Sequence, residues 1–180
     1  MAGITVSELN RCLQACGFDA LGDSLASTIT GKINGSIGSR NEAAMFIAQL
    51  FHESNGFKYR EERSRGAGQP YPPYYGRGYI QLTWDYNYRA ASKYLYGNES
   101  VLLNDPDRVS RTPEVSMDVS TWFWKTIVRP KAAPFDNFYR TTGAINGALE
   151  PPGSELARRR YNLYCKVAQV LDAYPLAREC

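Results

Sequence analysis

The first twenty residues place apolar side chains at the spacing of a helix. Thr5 and Glu8 are spaced as in a capping box, in which both ends of the first turn hydrogen-bond each other, and Leu9 and Leu13 then repeat on one face. Gly17 closes the pattern, since glycine commonly follows the end of a helix. The sequence therefore predicts an amino-terminal helix that ends at Gly17.

A second helix is predicted after a connection rich in glycine and serine that covers residues 30–39. Ser39 and Glu42 repeat the capping spacing, and apolar residues then follow on one stripe up to Phe51. The pattern predicts a helix that begins after Ser39 and continues through Phe51.

The middle of the chain is irregular and rich in aromatic residues. Residues 57–62 alternate in polarity, as in a short strand or extended loop, and the stretch SRGAGQPYPP (64–73) breaks all regularity. Further helices are predicted over Tyr86 to Tyr96, from Pro113 to Thr126, over Tyr139 to Leu149, and behind a cap at Ser154. The fold is therefore predicted to be mainly α-helical, with one small irregular or β-containing segment.

Length and composition favour one domain without a membrane span. The 180 residues, 43% hydrophobic and 22% charged, suit a single domain over residues 1–180. No stretch approaches the roughly 20 apolar residues that cross a bilayer. The 21 Lys and Arg against 18 Asp and Glu give a net charge of +3, and no basic run exceeds Arg158–Arg160. Binding to nucleic acid is therefore not expected.

Four cysteines lie near the two chain ends, at Cys12, Cys16, Cys165 and Cys180. Their even number favours two disulfides, although four thiols allow three pairings. Zinc is the alternative, but His52 is the only histidine and the spacing of the last two thiols fits no familiar ligand set. We therefore expect no metal, no cofactor, and a secreted protein whose leader is absent from the start MAGITVSELN.

The sequence surroundings of Glu53 and Glu62 are expected to shift the pKa values of their carboxyl groups in opposite directions. Glu53 falls in the last turn of the predicted helix at the margin of its apolar stripe, where burial and the helix dipole both raise a carboxyl pKa. Glu62, nine residues later, lies among Arg60, Arg63 and Arg65, which favour its ionised form. Such a pair suits the proton donor and the base of glycoside cleavage. The alternative is a solvated helix end and a surface ion pair, worth about 0–1 kcal/mol.

An aromatic run follows the two glutamates. The segments YYGRGYIQLT (74–83) and DYNY (85–88) combine aromatic faces with amide and hydroxyl groups. These are the groups that stack on sugar rings and hydrogen-bond them. The run therefore favours a carbohydrate-binding cleft.

Four segments, in this order, resemble the signatures of a known family: FIAQLFHES, YYGRGYIQLTWDYNY, LLNDPDRVSRTPEVSMDVSTWFWKT and GAINGALE. The family is that of the family 19 glycoside hydrolases, the plant-type chitinases, and the resemblance covers roughly residues 41–164. It implies a two-lobed, lysozyme-like helical fold. The short stretch between the two glutamates is similar to that of the compact members, which have few cleft loops.

The resemblance also implies catalytic roles for three residues. Glu53 matches the general acid, and Glu62 matches the general base, with Glu61 as the alternative register. Thr83 stands where the family usually has a serine that helps the base hold the attacking water. Either hydroxyl can do this.

Further residues match the family in binding and supporting roles. Glu150 and Arg160 match a charged pair that supports the base, with Arg159 one position away. The residues matched to substrate binding, the first of which also organises the acid, are His52, Gln81, Tyr86, Asn87 and Asn146.

The activity that the resemblance implies is endo-acting hydrolysis of chitin, the β-1,4-linked polymer of N-acetylglucosamine, by single displacement with inversion. The alternatives are cleavage of bacterial peptidoglycan and a chitin-binding relative without turnover. A monomer that acts on chitin or its oligosaccharides, with no membrane partner, is expected.

Overall fold

A computed structural model describes all 180 residues, and it is mainly α-helical, as predicted. The helices are α1 (Val6–Ala15), α2 (Asp23–Ser36), α3 (Arg40–Ser54), α4 (Asp85–Tyr96), α5 (Ser100–Asn104), α6 (Arg108–Arg111), α7 (Pro113–Phe123), a π-helical turn (Trp124–Val128), α8 (Arg129–Ala132), α9 (Tyr139–Asn146) and α10 (Glu155–Val170). None of them is long and apolar enough to span a bilayer.

The amino-terminal prediction is confirmed. The Thr5 hydroxyl accepts a hydrogen bond from the Glu8 N–H (3.1 Å), and the Glu8 carboxylate accepts one from the Thr5 N–H (2.9 Å). Helix α1 ends at Ala15, two residues before Gly17. The capping box therefore fixes where the first helix begins.

The prediction of a glycine- and serine-rich connection over residues 30–39 is wrong, because helix α2 occupies most of that stretch. Ala26, Ile29 and Ile33 are fully buried at helical spacing. Burial of an isoleucine side chain contributes about 1.5–3 kcal/mol, whereas a glycine in a helix costs about 1 kcal/mol relative to alanine. The buried stripe therefore outweighs the poor helix propensity of the segment.

Helix α3 lies at the centre of the core, packed against α10. Residues Ala43–Phe51 are all buried, so the helix is covered on every side. Ser39 caps it by accepting the Glu42 N–H at 3.1 Å. The Glu42 side chain does not complete the capping box, because it accepts hydrogen bonds from Trp124 (3.0 Å) and Arg129 (2.7 Å) instead.

The chain turns sharply where α3 ends. Asn55, Gly56 and Phe57 all have positive φ, at 52°, 69° and 65°. Gly56 is required here, since a Cβ at this position would lie 2.5 Å from Cγ of Phe18. This turn brings the chain back beside the end of α3, where the Lys58 and Tyr59 N–H groups both donate to the Ser54 carbonyl at 3.0 Å.

No strand forms over residues 57–62. A single antiparallel bridge joins Glu61 to Arg77, and the Glu62 N–H donates to the Gly76 carbonyl at 2.7 Å. Arg77 is buried and donates twice to Asp107, at 3.1 and 2.9 Å. The segment that carries Glu62 is thus held by backbone contacts to residues 76–77, where the Arg77 side chain is anchored to Asp107, rather than by a sheet.

Helix α7 begins at Pro113 behind a Thr112 cap, as predicted. The chain then widens into the π-helical turn before α8. Widened turns of this kind are frequent at functional sites, and here Phe123 and Ile127 face the cleft described below.

All four cysteine thiols are free in the structure, which contradicts the prediction of two disulfides. Cys12 and Cys16 lie one turn apart on the end of α1, with Cys12 buried in the core, while Cys180 is exposed at the chain end. Burial raises the pKa of Cys12 to about 12 and that of Cys16 to about 11, so both remain protonated thiols. An even count of cysteines carries no information on whether their side chains meet.

Candidate active site

One cleft of about 690 Å³ brings most of the predicted site residues together. Those that line it are Glu53, Glu62, Gln81, Thr83, Tyr86, Asn87 and Asn146. His52, Glu150 and Arg160 are absent from its lining, and so is Glu61. The cleft therefore contains both candidate catalytic carboxylates.

Glu53 projects into the cleft from the last turn of α3. Its side chain is 16% exposed, and Oε1 lies 2.7 Å from Nη1 of Arg160. Burial raises the pKa of Glu53, and the opposing effect of the Arg160 charge and hydrogen bond is smaller. A carboxyl that is buried at its base and open at its tip can keep a proton and still reach a ligand.

Arg160 on α10 holds the region behind Glu53. It is 1% exposed and donates to both Glu150 oxygens, at 2.7 and 2.9 Å, and to Oε1 of Gln49 at 2.7 Å. Burial alone would raise the pKa of Glu150, but the Arg160 hydrogen bond and charge outweigh it and lower that pKa. Arg159 is exposed, so Arg160 is the arginine of the two that contacts Glu150.

The contacts of Arg160 contradict one expectation from the sequence and identify one further residue of the network. The Glu150–Arg160 pair contacts Glu53, the candidate acid, and not Glu62, the candidate base. Gln49 was missed by the sequence reasoning, although it lies one helical turn before Glu53 within an otherwise apolar stripe. The signal that could have found it is a polar residue within that apolar stripe. The structure shows Gln49 fully buried, and a buried polar side chain needs hydrogen-bond partners.

Asn146 connects this network to the cleft. Its Nδ2 donates to Oε1 of Glu150 at 3.0 Å, and Tyr139 donates to the Glu150 carbonyl at 2.9 Å. Asn146 also lines the cleft, so the network around Arg160 reaches the cleft surface.

Glu62 is held by neutral donors, not by the arginines around it in sequence. Its Oε1 accepts from Ser64 at 2.7 Å and from Tyr71 at 3.0 Å, and its Oε2 accepts from Tyr71 at 3.2 Å and from the Gly76 N–H at 3.1 Å. Burial raises the pKa of Glu62, but the hydrogen bonds from Ser64, Gly76 and Tyr71 outweigh it and lower the pKa. Glu62 therefore favours its ionised form, for a reason that the sequence did not reveal.

The three neighbouring arginines have other partners. Arg65 pairs with Glu61 at 3.2 Å, Arg60 donates to the Ser110 carbonyl at 2.9 Å, and Arg63 lies over the ring of Tyr59. Glu62 lines the same cleft as Glu53, whereas the alternative Glu61 is absent from its lining.

Thr83, Gln81 and Asn87 form a hydrogen-bonded group on the same side of the cleft as Glu62. The Thr83 hydroxyl donates to the Gln81 carbonyl at 2.9 Å, and Asn87 Nδ2 donates to the Thr83 carbonyl at 2.8 Å. Thr83 makes no direct hydrogen bond to Glu62. Its hydroxyl oxygen keeps an acceptor position that can bind a water or a sugar hydroxyl.

An aromatic surface, formed by Tyr71, Trp84 and Tyr86, continues from this group. The rings of Tyr71 and Trp84 meet edge to face at 5.4 Å, and Trp84 stacks on Tyr86 at 6.1 Å. Trp84 has a φ of 77°, a costly conformation for a bulky residue that positions its indole. The apolar residues that also line the cleft are Ile80, Leu82, Phe123, Ile127, Ala144, Ile145 and Leu149.

His52 lies behind the acid and not in the cleft. Its Nδ1 is buried without a hydrogen-bond partner. Burial, reinforced by the positive charge of Arg160, lowers the pKa of His52 to about 4. No hydrogen bond joins His52 to Glu53, so its role in organising the acid stays a prediction, and its absence from the cleft lining does not support direct contact with a ligand.

The titration of His52 is directly measurable, because the chain has only one histidine. We expect the Hε1 proton resonance of its imidazole to titrate near pH 4 rather than near pH 6.5. The unfolded chain binds a proton at His52 below about pH 6.5, whereas the folded chain binds it only near pH 4. The free energy of unfolding should therefore decrease as the pH falls from about 6.5 to about 4. His52→Gln should flatten that part of the profile of unfolding free energy against pH. A midpoint near 6.5 would contradict the burial.

Comparison with known proteins places these features in a family. The family model of class I chitinases matches residues 55–173. An endochitinase of Arabidopsis thaliana is 41% identical in an alignment of 151 residues that covers 78% of this chain and 52% of that protein. The chain therefore spans about half the length of this relative.

Two solved structures share the fold across nearly their whole length. The class IV family 19 chitinase of Zea mays matches with a TM-score of 0.69 at 26% identity, covering 94% of this chain and 92% of that one. A bacterial family 19 chitinase matches with a TM-score of 0.70 at 26% identity, covering 98% of both. The chain belongs to the family 19 glycoside hydrolases, the class I chitinase family. The expected two-lobed, lysozyme-like helical fold is confirmed.

Proposed function

We propose that the protein is an endo-acting chitinase that hydrolyses the β-1,4 bond between N-acetylglucosamine units by single displacement with inversion. In this mechanism Glu53 protonates the leaving glycosidic oxygen, while Glu62 removes a proton from a water that attacks the opposite face of the sugar. Thr83 supplies the hydroxyl that helps Glu62 orient this water.

The observation that carries the proposal is the contrast between the two carboxylates in one cleft. Burial raises the pKa of Glu53, whereas hydrogen bonds lower the pKa of Glu62. An acid that keeps its proton and a base that has lost its own are both needed at the same pH. The presence of both argues for hydrolysis over binding without turnover.

The chemistry of the cleft and the names of the relatives support chitin as the substrate. Gln81, Asn87 and Asn146 offer amide groups to sugar hydroxyls and acetamido groups, and the apolar residues that share the lining suit acetyl methyl groups. The similar plant proteins are named endochitinases. No cofactor enters the proposed reaction.

We also propose that residues 1–180 act as one catalytic domain. The buried apolar residues form one continuous cluster that extends from Ala2 to Ala177 and includes α3 and α10. Both ends of the chain thus contribute to the core behind the cleft. A secreted monomer is the form expected for an enzyme that acts on an extracellular solid polymer.

The stereochemistry of the products tests the mechanism. Hydrolysis of chitin hexasaccharide should release new reducing ends in the α configuration first, because water attacks the face opposite the β-linked leaving group. Time-resolved proton NMR of the early products measures this. Initial β products would exclude the water-mediated inversion. Activity on purified bacterial cell wall without activity on colloidal chitin would instead favour the peptidoglycan alternative.

A further inference from the structure

Tyr71 is the only tyrosine whose hydroxyl bonds a carboxylate in the cleft. It lies 3.0 Å from Oε1 and 3.2 Å from Oε2 of Glu62. It belongs to the irregular segment 64–73, outside all four sequence segments that resemble the family. The proposed reaction above assigns it no part.

The three donors around Glu62 occupy different positions on its carboxylate. Ser64 approaches Oε1, the Gly76 N–H approaches Oε2, and the phenol of Tyr71 bridges the two oxygens. These contacts fall two on each carboxylate oxygen, and the two made by Tyr71 share its single O–H proton. Rotation of the carboxylate plane would break the bridging contact together with one of the other two.

The ring of Tyr71 is itself fixed by its neighbours. Trp84 meets it edge to face at 5.4 Å. On another side, the backbone approaches so closely at Gly66 that a Cβ there would lie 3.0 Å from Cε2 of Tyr71 and 2.8 Å from Cγ of Pro72. Gly66 also has a φ of 72°, which favours glycine. The phenol therefore meets Glu62 from a restrained position.

We propose that Tyr71 is a positioning residue for Glu62: its hydroxyl orients the carboxylate plane toward the attacking water and stabilises the charged form. This inference rests on the proposed function, in which Glu62 is the base. The hydrogen bond also explains why the charge of Glu62 contributes to raising the pKa of Tyr71, in addition to burial of the phenol.

Tyr71→Phe tests the inference, because it removes the hydroxyl and keeps the ring. The pKa of Glu62 should rise, since a donor to the charged form is lost. The acidic limb of kcat/KM against pH should move to higher pH by about half a unit or more, with KM on the plateau changed by less than about twofold. Carboxyl ¹³C NMR, with Glu62 assigned through Glu62→Gln, measures the same titration without turnover.

Tyr74→Phe is the matched control, because the Tyr74 hydroxyl donates to the Leu103 carbonyl (3.1 Å) and not to a cleft carboxylate. It should leave the Glu62 titration unchanged.

The possible outcomes separate this inference from the proposed function. If Glu62→Gln abolishes turnover but Tyr71→Phe does not move the Glu62 titration, the positioning role is overturned and the base assignment stands. If Glu62→Gln retains turnover, the base assignment fails, whatever the NMR titration shows. Equal shifts in Tyr71→Phe and Tyr74→Phe would also overturn the positioning role.

Discussion

Glu53→Gln should reduce hydrolysis of chitin oligosaccharides by about a hundredfold to ten-thousandfold, the usual contribution of a general acid. Glutamine keeps the size of the side chain and one acceptor for Arg160, but it has no proton to transfer to the leaving oxygen. Binding should be largely retained, because the amide-bearing and aromatic residues of the cleft are unchanged. Initial rates and calorimetric titration with chitin oligosaccharides measure the two effects separately.

Glu61→Gln is the control for this substitution. It makes the same chemical change to an acidic residue whose contact is with Arg65 and which lies outside the cleft lining. Its activity should remain near that of the unmodified protein. Turnover retained in Glu53→Gln, or loss of binding together with turnover, would remove Glu53 from the role of acid.

Arg160→Met should lower the free energy of unfolding at neutral pH by about 3–5 kcal/mol. The substitution leaves Glu53 and Glu150 without the guanidinium that both contact, and Glu150 is buried. This loss of unfolding free energy should become smaller as the pH falls. Arg160 lowers the pKa of Glu150, so its stabilising effect is present above the unfolded carboxyl pKa of about 4.3 and disappears as Glu150 protonates in the folded state.

Arg159→Met provides the comparison for this effect. Arg159 precedes Arg160 on the same helix but is exposed, so its replacement should change stability by no more than about 0.5 kcal/mol. Urea unfolding of both variants at pH 7 and pH 4 measures the difference and its pH dependence. Equal losses in the two variants would contradict the buried ion-pair network.

The parts of the site that could be predicted from the sequence are those set by local pattern or by the family resemblance. The position of Glu53 follows from the period of α3, because a helix fixes which face each residue occupies. The cleft residues Gln81, Asn87 and Asn146 followed from the resemblance, and the structure places all three in the lining.

The parts that could not be predicted depend on contacts between distant segments. Two of the donors to Glu62, Ser64 and Tyr71, come from an irregular segment whose path no periodicity describes, so the sequence points to the neighbouring arginines instead. The contact of Arg160 with Glu53 depends on how α10 docks on α3, which is tertiary information. Helix α2 was missed because propensity is a weak guide where a buried stripe decides.

The placement of Arg160 on the last helix also bears on when the site becomes functional. During synthesis both glutamates leave the ribosome long before α10, yet Glu53 obtains its buried ion pair only when α10 docks on α3. Contacts between segments so far apart in sequence form late and slowly. We therefore expect a nascent or carboxy-terminally truncated chain, which carries both Glu53 and Glu62, to remain inactive until α10 docks on α3.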